Sequence, residues 1–217
     1  MQKLLSLLSQ LLLIVFFPPV CVVCKKFGHL LCAECLSTCS FYNRQCALDL
    51  QITKLPVIAT TYLNTESTRI ISAFKYSHIH GLGQYIAQAM FEHTTLPSID
   101  LVTFVPLHAE KRARRGFNQA ECIATALAKH LAVPCCALLE RGAPAAVQAS
   151  LKHKNERMKN TKQLFSLLPQ AENRDKALRV LLIDDICTTG ATLGACHTVL
   201  KKHGFTEVYG AVFAHGQ

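Results

Sequence analysis

The chain has no tryptophan and only three methionines among its 217 residues. It also lacks any uninterrupted apolar stretch of 18 residues, which excludes a bundle of membrane-spanning helices. Charged residues are sparse at 17% of the chain against 50% hydrophobic, so wholesale disorder is excluded as well. No GxxxxGKS or GxxxxGKT run occurs, which removes the P-loop, and no GxGxxG occurs, which removes the dinucleotide fingerprint. There is no internal repeat and no low-complexity tract. Acidic residues are few, 14 against 23 Lys and Arg, leaving a net charge of +9. The length suits one α/β domain with a small appendage and is marginal for two full domains.

What is present is unevenly distributed. Residues 108–179 carry a net +8, so nearly all the excess charge sits in 72 residues. A local basic block points to a polyanionic ligand such as phosphate, pyrophosphate or nucleic acid, with a solvated lysine-rich face as the plainer alternative. The amino end, residues 1–20, has an apolar run from Leu11 to Phe17. Leu4, Leu8, Leu11 and Val15 share a helical face, which predicts an amphipathic segment able to dock on a core, a partner or a membrane surface through residues 1–17. Pro18 and Pro19 follow where a small-x-small cleavage site would stand, so a secretory leader is not expected.

Eleven cysteines are many for this length. Cys21 and Cys24 form one CxxC pair, and Cys32 and Cys35 form a second after seven intervening residues. Two such pairs complete a closed tetrahedral site of four thiolates for structural Zn²⁺. A disulfide framework and a degenerate site without metal are the alternatives. Cys122, Cys135, Cys136, Cys187 and Cys196 are scattered through the helices and strand ends, which suits a reducing, cytoplasmic setting. Cys39 and Cys46 are left over, either as additional ligands or as small buried apolar residues.

From about residue 53 the pattern is that of an α/β domain, with 21–50 as a separate zinc module. Strands are expected at Pro56–Tyr62, Leu101–Val105, Arg179–Ile183 and Glu207–Ala214. Helices are expected at Arg69–Tyr76, Leu82–His93, Phe117–Leu131 and Ala191–His203. Apolar strands alternating with helices imply a mostly parallel sheet covered on both faces. Residues 142–163 show no periodicity and many cations, so a loop or arm is expected there.

The most specific feature is Val180-Leu-Leu-Ile-Asp-Asp-Ile-Cys-Thr-Thr-Gly-Ala-Thr192. A buried strand runs into Asp184 and Asp185, then into a turn, then into a helix. Thr188, Thr189 and Thr192 offer hydroxyls, Gly190 lets the backbone turn tightly, and the helix starting near Ala191 aims N–H groups and its positive end at the loop. That is a cradle for one phosphate. The two carboxylates can accept from vicinal ribose hydroxyls, directly or through Mg²⁺. A ribose 5-phosphate site is the reading that uses every part, and helix capping alone is the plainer one. Further cations, Lys111, Arg112, Arg114 and Arg115, follow the strand ending at Val105 and lie just before a helix, where they could face a pyrophosphate. Lys75 reads as solvated unless the fold turns it inward, and His108 as a surface or satisfied residue. Cys187 is not read as a nucleophile, because no histidine partner is assured.

Strand, acid-acid and TTGAT together resemble the type I phosphoribosyltransferases. That resemblance implies a parallel sheet flanked by helices with the site at the strands' carboxyl ends, phosphoribosyl pyrophosphate and Mg²⁺ as ligands, and Asp184 and Asp185 as the catalytic and ribose-binding pair. The fuller set is similar to the ComF family: CxxC pairs, then Val105-Pro106 and Arg115-Gly-Phe-Asn-Gln119, then Arg141, Gln148, Arg157, Asn160 and Phe165, then the Asp184–Thr192 run. It implies a zinc module ahead of a phosphoribosyltransferase-like domain. It also implies a role in natural transformation, with single-stranded DNA as ligand, a helicase-type partner and a place in the cytoplasm or at the inner face of the membrane. Many relatives carry further CxxC pairs, and here only Cys39 and Cys46 remain. Two functions stay open: a module that binds ribose-phosphate or single-stranded DNA, and an active phosphoribosyltransferase with an unidentified acceptor.

Overall fold

The computed structural model describes residues 18–49, 54–76, 79–142 and 164–216. Five strands form one sheet in the order β1-β2-β7-β6-β3. They are β1 (Phe41–Asp49), β2 (Lys54–Tyr62), β3 (Leu101–Phe104), β6 (Arg179–Cys187) and β7 (Glu207–His215). β2, β7, β6 and β3 run parallel, and β1 adds an antiparallel edge. The expected parallel sheet is therefore present. The antiparallel β1 lies inside the cysteine-rich stretch and had no counterpart in the sequence pattern.

Side-chain alternation along β6 sorts the core into two layers. Leu181 and Ile183 join Val102, Phe104 and Phe213 on one face, beneath the helices Thr65–Tyr76, Leu82–His93 and Gln119–Leu131. These helices are α2, α3 and α5. Val180 and Leu182 join Leu55, Val57 and Val212 on the other face, beneath α7 (Ala191–Lys202) through Leu193, Cys196 and Leu200. Small strands β4 (Leu139–Arg141) and β5 (Phe165–Leu167) pair antiparallel and close that second layer. A short helix, α6 (Pro169–Glu172), follows β5. Leu127 and Ile123 of α5 are fully buried, as the 3.6-residue spacing requires. α3 and α5 cross closely: a Cβ on Gly83 would stand 2.8 Å from the Cβ of Cys122.

The amino-terminal knuckle packs onto the first layer. Its helix α1 (Ala33–Ser37) places Cys35 in the same cluster as Cys21, Leu31, Cys39, Ile70, Phe74 and Met90. The segment after α5 runs along the free edge of β3, where Val102 accepts from the Cys136 N–H and donates to the Pro134 carbonyl. At the opposite end of the sheet Arg179 clamps Asp100 with side-chain bonds of 2.8 and 2.6 Å, which fixes the amino ends of β3 and β6 against each other. Residues 1–17, expected to be amphipathic, and Gln148, Arg157 and Asn160, which entered the resemblance, lie outside the described residues. No helix among the described residues is long and apolar enough to cross a membrane.

Candidate functional site

The four parallel strands bring their carboxyl ends to one edge, where ligands of open α/β sheets bind. Gly216 donates to the Cys187 carbonyl and Leu63 to the His215 carbonyl, so the ends of β6, β7 and β2 are laced together. Val105 donates to the Ile183 carbonyl, so the loop leaving β3 emerges beside the acidic pair.

The run Asp184–Thr192 forms the strand, turn and helix expected of it. Asp184 and Asp185 lie in the carboxyl half of β6, which ends at Cys187, and α7 starts at Ala191. Gly190 has φ 74°, the left-handed conformation that glycine adopts at least cost, and it caps α7 without a side chain. Thr189 Oγ1 accepts from the Ala191 N–H at 3.4 Å. Thr188, Thr189 and Thr192 are exposed.

The acidic pair is held from two sides. Asp184 Oδ1 accepts from the Asp185 N–H at 2.9 Å. Lys75 Nζ lies 2.6 Å from Asp185 Oδ2, with the two side chains 22% and 11% exposed. The fold therefore turns Lys75 inward, against the solvated reading. The reason is that α2 ends beside β6, so its last turn meets a strand more than a hundred residues away. Dense surroundings, and then the adjacent Asp185 carboxylate, hold the carboxyl of Asp184 well above the usual carboxylate range, and Lys75 works in the opposite direction.

The basic block forms a helix of its own, α4 (Ala109–Arg115), with His108 as its N-cap and Gly116 at φ 78° as its left-handed C-cap. His108 Nδ1 accepts from the Glu110 N–H, which is the satisfied role expected of it. Lys111 and Arg114 are exposed. Arg112 pairs with Glu121 at 3.2 Å and lines a cleft of about 470 Å³ with His80, Gln84 and Lys129. Arg115 donates to Gln119 Oε1 at 3.1 Å and lies 5.5 Å from the centre of the Tyr76 ring, one residue beyond Lys75. Arg115 is thus held by Gln119 and Tyr76, and Arg112 by Glu121 of α5.

The residues of Arg115-Gly-Phe-Asn-Gln119 have structural work that the sequence alone did not reveal. Phe117 is buried against Phe74 and His80. Asn118 caps α5 through the Ala120 N–H and donates to the Val105 carbonyl at 2.9 Å, which fixes the loop leaving β3. Gln119 donates to the Phe74 carbonyl at 3.5 Å. Arg141 and Phe165 are register partners of β4 and β5, with the guanidinium 5.1 Å from the ring centre.

The sulfur atoms of Cys21, Cys24, Cys32 and Cys35 all lie within 4.8 Å of one another. Four thiolates at about 2.3 Å from one tetrahedral ion would stand roughly 4 Å apart, so the cluster fits a zinc ion. Cys32 Sγ also accepts from the Cys35 N–H, so the knuckle is folded around its own sulfurs. Burial opposes the Cys21 thiolate, but backbone N–H groups of Cys24, Cys32 and Val23 outweigh it and lower its thiol to about 6. Cys39 is buried, outside the cluster, and its thiol is pushed up to about 11 by that burial. It belongs to the core and not to the four-sulfur set. The side chain of Cys46 lies outside the described residues.

Together these parts define an open α/β domain with a glycine-turned loop at a helix start and a carboxylate pair at its carboxyl edge, joined to a four-cysteine knuckle. Comparison with curated proteins finds competence relatives. The chain is 28% identical to competence protein F of Haemophilus influenzae, over 85% of this chain and 83% of that protein. It is 32% identical to the DNA utilization protein YhgH of Salmonella typhi over 53% of this chain. It is 33% identical to competence protein ComFC of Bacillus subtilis over 45% of this chain. The latter two matches span 49% and 37% of those proteins. No protein-family model matches the chain. Among solved structures, a glutamine phosphoribosylpyrophosphate amidotransferase from B. subtilis is similar at TM-score 0.43 and 20% identity, covering 63% of this chain and 26% of that one. An adenine phosphoribosyltransferase from Trypanosoma brucei is similar at 0.41 and 13%, covering 74% and 83%.

Proposed function

We propose that this chain is a ComF-like protein of natural competence that binds ribose-phosphate and single-stranded DNA at the carboxyl edge of its sheet. The observation that carries this reading is the left-handed Gly190 at the start of α7 beside the carboxylates of Asp184 and Asp185. The loop would receive a phosphate, with the N–H groups of Ala191 and Thr192 and the hydroxyls of Thr188, Thr189 and Thr192 as donors. The carboxylates would accept from the sugar hydroxyls. The cations of α4, exposed Lys111, Arg112 and Arg114 with half-buried Arg115, would neutralise neighbouring phosphates, making strand binding steeply salt-dependent. The names of the relatives support the competence role. A zinc ion held by Cys21, Cys24, Cys32 and Cys35 would be structural, since four thiolates leave no open position. On this reading the knuckle would end near residue 50 and the sheet domain begin near residue 53, with β1, which pairs with β2, as the strand they share.

A second reading, phosphoribosyl transfer, is favoured by the paired carboxylates lying next to the loop. In it the loop and the acidic pair fix the ribose. Mg²⁺ would enter with phosphoribosyl pyrophosphate and screen its charge, and Arg115 and Lys111 would face the departing pyrophosphate. Asp185→Asn tests the site common to both readings. Ribose 5-phosphate and phosphoribosyl pyrophosphate should bind at least tenfold more weakly to the variant while its thermal transition persists. Unchanged calorimetric affinity would remove the carboxylate pair from the site.

A further inference from the structure

The pair formed by Lys75 and Asp185 is poorly explained as a contribution to stability alone. Ion pairs withdrawn from water recover little more than the cost of removing their charges from it. This one sits at the functional edge and not in the core, and it joins the end of α2 to the end of β6. The Nζ···Oδ2 separation is 2.6 Å, and neither side chain is more than 22% exposed. The surrounding helix end is fixed on both sides. Gln119 bonds the Phe74 carbonyl, one residue before, and Arg115 lies over Tyr76, one residue after. The ammonium is therefore delivered to the carboxylate by backbone that α5 and α4 hold in place.

We propose that Lys75 is the resident cation of the acidic pair: its ammonium, held at Asp185, supplies the positive charge that a divalent ion would otherwise bring to Asp184 and Asp185. This deepens the proposed site and rests on Asp184 and Asp185 being its ligand-facing carboxylates. Two neighbouring carboxylates with no counter-charge would attract a metal ion from solution. A lysine ammonium 2.6 Å from one of them supplies that charge from within the chain. A sugar can then dock its hydroxyls on the pair without a metal ion bound there first. Lys75 is in this sense a positioning residue, acting through Asp185.

The test uses the full chain with its cysteine cluster intact and Mn²⁺ as the probe, read by calorimetry and by the electron paramagnetic resonance of the bound ion. Wild-type protein should bind Mn²⁺ weakly at the pair. Lys75→Met should bind it at least about tenfold tighter, because the repulsion of one close positive charge is removed. Lys75→Arg should restore the weak binding, and Lys75→Met with Asp185→Asn should lose the gain. Equal Mn²⁺ affinity in wild type and Lys75→Met would overturn the assignment, as would tight binding retained in the double variant. If Lys75→Met does not fold, Lys75→Gln carries the same comparison. A second arm titrates wild-type protein with ribose 5-phosphate with and without added Mg²⁺. Equal affinities support the resident cation, and a tenfold dependence on Mg²⁺ contradicts it. A wild-type protein that does not bind ribose 5-phosphate at all refutes the ligand reading, whereas the Mn²⁺ comparison alone decides the role of Lys75.

Discussion

Gly190→Ala separates the loop's contribution to binding from its contribution to folding. At φ 74° and ψ 0° an alanine would be held in the left-handed region, at a cost of about 1–2 kcal/mol. That is small against a typical domain stability of roughly 5–15 kcal/mol, so the variant should stay folded. For a chain of this size it corresponds to a fall in Tm of about 2–8 °C. The ligand should feel more. If the loop relieves the strain by rotating toward negative φ, the N–H groups at the start of α7 turn away from the phosphate. Each charged hydrogen bond lost is worth about 1.5–3 kcal/mol, or roughly tenfold to more than hundredfold in affinity. Gly204→Ala is the control. Gly204 follows the other end of α7 at φ +93°, and a Cβ there meets only the Lys176 side chain at 3.5 Å. It should lose comparable stability with unchanged affinity. Calorimetry with ribose 5-phosphate beside thermal melting reads both quantities. Equal affinity in Gly190→Ala and wild type would refute the loop as the phosphate cradle.

The knuckle and the clamp at the amino ends of the strands give further expectations. Purified protein should contain about one zinc per chain. Chelation or Cys35→Ser should release it and lower the thermal transition, because Cys21, Leu31 and Cys35 share a core with Phe74 and Met90. Metal analysis finding none would remove the four-thiolate site. Asp100, held by the Arg179 side chain and N–H, has its carboxyl lowered to about 2. A depressed folded-state value means that its stabilisation is complete above about pH 4 and disappears as pH falls from there toward 2. Asp100→Asn should flatten the acid limb of urea midpoints in that window, and an unchanged limb would sink the assignment.

The parts of the fold with a strong period were legible in the residues. Leu82–His93 is a helix over the expected span, and the buried runs at 101 and 179 are neighbouring parallel strands. α6 and the three-residue strands β4 and β5 are too short to show a period. β1 was hidden for a different reason: Phe41-Tyr-Asn-Arg-Gln-Cys-Ala-Leu-Asp49 has no apolar alternation, and its pairing with β2 makes it a strand. α4, Ala-Glu-Lys-Arg-Ala-Arg-Arg, has no apolar face, and its His108 and Gly116 caps mark its ends. The strand-turn-helix at Asp184–Thr192 was readable because strand, acids, glycine and helix follow each other directly. Lys75 was not, since its partner Asp185 is distant in sequence and only the packing of α2 beside β6 joins them.

In the proposed function one edge of the sheet takes both a sugar phosphate and a nucleic-acid strand. Competition at fixed ionic strength tests it most directly. Labelled single-stranded DNA bound to the full chain is titrated with phosphoribosyl pyrophosphate, with inorganic sulfate at matched ionic strength as the control. The sugar phosphate should displace the strand at concentrations where sulfate does not. Independent binding of the two ligands would contradict it.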